Sequence, residues 1–148
     1  MTKNINEYLE TFIGKELLDI NLVCEMMCFN FGEMHFHAQG FTRVLQNDEI
    51  LVTTLDYQHW DEKDDKNNDE WINMAQFKKV ILNNRIERFE LMPINDIFIY
   101  LENGICVQSF NRNGPLHFGD CDEQWRFLIK NNENDIHIVA QGKTIEFL

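Results

Sequence analysis

Residues 95–110, NDIFIYLENGICVQSF, hold two apolar runs separated by the dipeptide Asn103-Gly104, and their reading decides the fold class. A type I′ turn needs positive φ at both central residues, which Asn tolerates and Gly adopts freely, and its twist matches that of the flanking strands. The stretch therefore reads as a β-hairpin. A two-residue turn here sets Glu102 opposite Ile105 and Leu101 opposite Cys106. One side then carries Ile97, Ile99, Leu101, Cys106 and Phe110, and the other Phe98, Tyr100, Ile105 and Val107. A strand facing water on one side alternates apolar with polar residues, and this one does not. The hairpin is expected mid-sheet with a layer on each side, or with one face in a subunit interface, which would make a homodimer.

On either side of the hairpin the pattern is largely extended. Residues 4–13 read as a short helix, with Asn4 or Asn6 as cap, Tyr8, Leu9, Phe12 and Ile13 as an apolar stripe and Gly14 as a left-handed stop. Residues 17–31 look extended throughout, Gly32-Glu33 turns the chain into a strand over 34–39, and a further strand follows over 41–45 with Gly40 as a bulge or bend. Residues 49–57 are rich in β-branched and aromatic side chains. A second helix is predicted over 74–83 with Asn73 as its cap and Phe77, Val80 and Ile81 on one face. Residues 85–91 precede the hairpin, a turn-rich connection spans 111–119, and closing strands are predicted over 124–129, 136–139 and 144–147. A helix first, another mid-chain and strands elsewhere make a single α+β domain over 1–148, with a mostly antiparallel sheet of about eight strands.

Composition narrows the function classes. At 148 residues with 44% hydrophobic content the chain suits one domain with a full core. Thirteen Lys and Arg against 25 Asp and Glu give a formal net charge of −12. Such a field repels a polyanion and draws in basic proteins, so nucleic acid is not an expected partner. No apolar run approaches the roughly 20 residues of a membrane span. The N-terminus lacks a signal-peptide pattern, and Cys24, Cys28, Cys106 and Cys121 read as reduced thiols in a chain too large to need disulfides. A cytoplasmic protein without membrane contact is expected.

Most catalytic chemistry finds no foothold. Cys24, Cys28, His35 and His37 suggest zinc, but on one strand the two cysteines would stand about 13 Å apart, too far to share an ion. The single serine, Ser109, lies in the hairpin without a nucleophile elbow. Cys121 sits between Asp120 and Asp122, whose charge disfavours thiolate. No glycine-rich phosphate loop is present. No catalytic residue, metal ligand or cofactor is assigned. The run WDEKDDKNNDE within 59–70 reads as a solvated acidic loop, with a disordered tip, a cation site or a docking arm for a basic partner as functional alternatives.

One polar constellation remains. On the strand over 34–39, His35, His37 and Gln39 alternate with apolar residues, so His37 and Gln39 share a face. With Arg43, Arg126 and His137 they are candidates to line a pocket for an anionic or amide-bearing ligand. The competing reading makes the histidines a wet strand face and pairs the arginines with the many carboxylates.

The segments GKELLDINLVCEMMCFNFG, FHAQGFTRV, EILVTTLDY, DIFIYLENGICVQSF, EQWRFL and HIVAQG, in this order, resemble a family of small uncharacterised bacterial proteins. Its pattern runs Gly-x-x-Leu, Met-x-x-x-x-Phe-Gly, Leu-His-x-Gln-Cys-x-Trp-Arg, a strand ending in Asp, a late hairpin and Glu-x-Trp-Arg. His37, Gln39, Arg43, Asp56, Glu123, Trp125 and Arg126 stand at motif positions, whereas Gly40 and Thr42 replace the family's Cys and Trp. The resemblance implies a fold and a set of residues, without a reaction.

Two functions are therefore expected to compete. The first is a non-catalytic acidic interaction protein of a bacterium, comparable to immunity proteins that bind a basic protein. The second is a small-molecule binder or enzyme using His37, Gln39, Arg43, Arg126 and His137, which requires these five to converge.

Overall fold

The computed structural model describes residues 4–112, 122–142 and 144–148. The turn-rich connection predicted over 111–119 and the reading of Cys121 fall largely or wholly outside them. The class is α+β as expected, with two helices, but the strands number eleven among the described residues and form two antiparallel sheets rather than one of about eight.

Sheet A has the order β1 (Asp19–Val23), β2 (Met26–Asn30), β3 (Met34–Ala38), β9 (Glu123–Ile129), β10 (Ile136–Gln141) and β11 (Thr144–Phe147). Sheet B has the order β5 (Glu49–Thr53), β4 (Thr42–Gln46), β8 (Ile105–Ser109), β7 (Ile97–Leu101) and β6 (Ile86–Leu91). Their inner faces share one core. Phe29, Phe36, Trp125, Phe127 and Ile138 line it from sheet A, and Val44, Val52, Ile97, Ile99 and Val107 from sheet B. Each is essentially inaccessible to solvent, and full burial of such a side chain contributes about 1.5–3 kcal/mol.

The chain passes between sheets at Gly40. Backbone N–H groups of Gln39 and Gly40 donate to Gln124 O, and that of Phe110 to Phe41 O, so pairing continues around the bend. A Cβ on Gly40 would lie 2.2 Å from the Phe110 carbonyl oxygen, which is why only glycine fits here. At the same end Trp125 Nε1 donates to Asn95 O at 2.7 Å, while Asn95 and Asn111 both donate through their side chains to Gly142 O.

The hairpin keeps its predicted turn and loses its predicted register. Asn103 and Gly104 both have positive φ, and the Ile105 N–H donates to Glu102 O, as a type I′ turn requires. Yet Tyr100 pairs with Cys106 and Ile99 with Val107, one residue from the expected pairing. Leu101 is the residue left over: Glu102 still faces Ile105 across the turn, its N–H donating to Arg85 O and its carboxylate accepting from the Arg85 N–H, while Leu101 pairs with Ile86 of β6 and the β7–β8 ladder resumes at Tyr100 and Cys106. The shift turns every β8 side chain over. Ile105, Val107 and the buried Ser109, bonded to Thr42, enter the core with Ile97, Ile99 and Leu101. Phe98, Tyr100 and Gln108 become a half-exposed outer face. There Arg88 covers the Tyr100 ring at 3.5 Å and Arg43 the Phe110 ring at 5.3 Å.

The two helices cover the lateral edges, where unpaired strands would otherwise be open. α1 (Ile5–Phe12) carries the predicted Asn4 cap, completed by Glu7 into a capping box, and stops at Gly14 with φ of 90°. Its Tyr8 stacks on Phe147 of β11 and its Phe12 meets Phe89 of β6. α2 (Asp69–Ile81) lies against β5 and β1. It starts five residues before the predicted Met74, because Asn68 rather than Asn73 is its cap and Asp69 and Glu70 sit in the first turn, where acidic side chains favour the helix dipole. Asn84 closes its other end by donating to the carbonyls of Val80 and Ile81.

Two further expectations are corrected. The extended run 17–31 is two strands, β1 and β2, joined by a tight turn at Cys24-Glu25 in which Cys24 takes φ of 56°. The strand predicted over 49–57 ends at Thr53, where the Thr53 N–H donates to Asp56 Oδ2. No helix of the described residues is long and apolar enough to cross a membrane.

Candidate functional site

Four of the five candidate residues meet on the outer face of sheet A. Alternation along β3 turns His35 and His37 outward, and β9, its neighbour, sets Arg126 opposite His37. From there each nitrogen of Arg126 finds a partner: Nε and Nη2 each lie 2.6 Å from Glu123 Oε1, and Nη1 donates to His137 Nδ1 at 2.7 Å. Gln39 Nε2 donates to the other Glu123 oxygen at 2.8 Å. The His35 and His37 rings stand edge to face at 6.2 Å. Burial, reinforced by His35, holds the His37 imidazole below its usual range, with Glu123 opposing.

This network is closed on itself. Both Glu123 oxygens are occupied, and the guanidinium that would grip an anionic ligand already grips a carboxylate. Arg43 is not part of it. It lies on β4 in the other sheet, donating from Nε to Gln108 Oε1 at 2.7 Å, because the bend at Gly40 carries β4 out of sheet A.

A different arrangement occupies the region between α2, the β1–β2 turn and the segment after β5. A cleft of about 370 Å³ is lined there by Leu22, Cys24, Glu25, Tyr57, Trp60, Asp65, Asn68, Glu70 and Trp71. That volume falls within the usual range of ligand sites. The acidic loop is solvent-exposed over 61–67, as expected, and local hydrogen bonding orders it into the rim of the cleft. Asp61 Oδ1 accepts from the Lys63 and Asp64 N–H groups, and Asn67 donates to Asp61 Oδ2. These bonds hold the Asp61 carboxyl below its ordinary value. The ordered loop presents Asp64 O to the indole of Trp60, which donates at 2.6 Å and so fixes a ring that is 45% exposed.

At the cleft wall stands Glu70. It is only 3% exposed, and its Oε2 has no hydrogen-bond partner among the described residues. Burial pushes its carboxyl up to about 7, and the charges of Asp56 and Glu25 add to the effect. Asp56 is itself engaged by the Thr53 N–H at 2.9 Å. The neighbouring Trp71 ring has Lys66 Nζ 5.5 Å from its centroid. Among the described residues no three His, Cys, Asp or Glu side chains are grouped to hold a metal ion.

The sequence reading missed Glu25, Tyr57, Trp60, Glu70 and Trp71 as a group. The available signal was aromatic: Tyr57, Trp60 and Trp71 bracket the acidic run. Placing the helix start at Met74 left Glu70 in a solvated loop, which hid its burial. Comparison of the chain with protein-family models, with curated proteins and with solved structures finds no match.

Proposed function

We propose that this chain is a non-catalytic acidic binder of a basic protein, of the immunity type, acting in the cytoplasm of a bacterium. The observation that carries the reading is the cleft beside α2: carboxylates of Glu25, Asp65 and Glu70 stand among the rings of Tyr57, Trp60 and Trp71, on a chain of net charge −12. Aromatic rings and carboxylates together suit the lysine and arginine side chains of a basic partner. The wider acidic surface would steer such a partner in and lose that pull as salt rises. The resemblance to the bacterial family, and the free thiols of Cys24, Cys28 and Cys106, agree with the setting.

The rival reading, an anionic ligand held by His37, Gln39, Arg126 and His137, is supported by their meeting on one sheet face. It requires Glu123 to release Arg126, and Arg43 is outside it.

The test is affinity capture on the tagged chain from native lysate of the source bacterium at about 50 mM salt, followed by titration of the purified candidate. The proposal expects a partner of strongly basic composition whose affinity falls by about tenfold or more on raising salt to about 300 mM. Recovery of no basic protein, or binding indifferent to salt, contradicts it.

A further inference from the structure

We propose that the cleft between α2 and the β1–β2 turn is a receptor for one protonated amine, with Glu70 as its buried counter-ion and Tyr57, Trp60 and Trp71 as its walls. The inference deepens the proposed function by naming the chemical group that is recognised, and it rests on that reading only for where the amine comes from.

Three observations lead to the amine. First, Glu70 is nearly sealed from water, lines the cleft and keeps Oε2 without a partner. A buried oxygen of this kind is costly to leave empty and gains from a donor brought by a ligand. Secondly, the walls are π faces. The indole of Trp60 is held in place by its bond to Asp64 O, and Trp71 already has the chain's own Lys66 ammonium 5.5 Å away. An indole is the best of the side-chain rings for holding a cation. Thirdly, no three His, Cys, Asp or Glu side chains among the described residues group as a metal site, so an organic cation suits the cleft better than a divalent ion.

The charge balance fits. The titratable groups around Glu70 are Cys24 and Glu25 from the β1–β2 turn, Asp56 and Tyr57 after β5, and Asp65 from the acidic loop, with the Lys66 ammonium at the Trp71 ring; on its own helix Asp69 pairs with His59 at 2.9 Å. Burial, with the charges of Asp56 and Glu25, favours a protonated Glu70 in the ligand-free cleft. An arriving ammonium favours the carboxylate and expels that proton, so affinity rises as pH passes upward through 7. Two sources share this chemistry: a free alkylamine, or the lysine side chain of a protein.

The experiment follows the indole N–H signals of Trp60 and Trp71 in the full chain by NMR. The probes are butylammonium, N-acetyl-lysine methylamide, butanol as neutral isostere and calcium chloride, each to about 50 mM. The expected result is a saturable shift with both amines, none with butanol or calcium, and affinity about tenfold lower in Glu70→Gln and in Trp60→Ala. Tighter binding of the lysine derivative than of butylammonium assigns the protein source, and the reverse order the free amine. The near-isosteric Gln guards against loss of the fold, and an unchanged methyl spectrum verifies it. No saturable shift, an equal response to butanol, or unchanged affinity in Glu70→Gln overturns the proposal. If amines bind while capture yields no basic partner, the site stands and the wider reading falls. If a basic partner binds wild type and Glu70→Gln alike, the reading stands and the site falls.

Discussion

Glu123 and Glu70 are both withdrawn from solvent, and their surroundings differ in kind. Glu123, 19% exposed on the outer face of sheet A, is bonded through both oxygens to Arg126 and Gln39. Glu70, 3% exposed beside the cleft, has an oxygen with no partner among the described residues and a carboxyl pushed up to about 7. Folding meets the electrostatic demand of the first and leaves that of the second open. A buried polar group that the fold completes supports structure, whereas one left incomplete is a candidate place for a ligand or an ordered water. The comparison therefore moves the functional interest from the histidine-arginine face, to which the sequence pointed, toward the acidic aromatic cleft.

The largest expected effect removes the scaffold common to both regions. Gly40→Ala should lower unfolding free energy by about 3 kcal/mol in urea denaturation, because the new Cβ collides with the Phe110 carbonyl at the bend between sheets. Next comes the closed network itself. Arg126→Ala leaves Glu123 without its cation and should cost about 2 kcal/mol, below the figure for a fully buried pair because both partners keep some solvent. If Arg126→Ala instead left stability untouched, the network would not be structural and the anion-site reading would regain ground.

The smallest effect concerns His37. Burial, with His35 beside it, depresses its folded pKa, so its contribution to stability is fully present above the unfolded value of about 6.5 and declines as pH falls below that. Imidazole NMR should show His37 titrating below the ordinary histidine range. A His37 titrating above it would mean that Glu123 outweighs burial and that the face is more open than the network implies.

How much of this was legible in the sequence follows from what each signal depends on. The Asn103-Gly104 turn was legible because positive φ is a local property. The register beyond it was not, since Leu101 is left over between turn and ladder, where it pairs with Ile86, distant in sequence. His37, Gln39, Arg126 and His137 were legible as neighbours in the making because period-two alternation turns them outward on strands of one sheet. Arg43 looked equally eligible, but the bend at Gly40, itself legible as a bulge or bend, carries it to the other sheet, because a local signal marks where a chain bends and not which sheet it enters next. The cleft was least legible. Charged residues are almost never fully buried, so a glutamate in an acidic run reads as solvated until a helix capped by Asn68 turns it inward.

The central claim, that Glu123 is completed by the fold and Glu70 is not, is tested most directly by urea denaturation of Glu70→Gln and Glu123→Gln at pH 5 and pH 8. A folded pKa of about 7 lies above the ordinary carboxyl value, so Glu70 favours folding while protonated and loses that contribution as pH rises through 7. Glu70→Gln should therefore gain on wild type by about 2 kcal/mol between pH 5 and pH 8. Glu123→Gln should be less stable than wild type at both pH values, by about 1 kcal/mol, having weakened a bonded pair. Loss of stability in Glu70→Gln at both pH values, matching that of Glu123→Gln, would mean that Glu70 is as fully satisfied as Glu123 and would contradict the account.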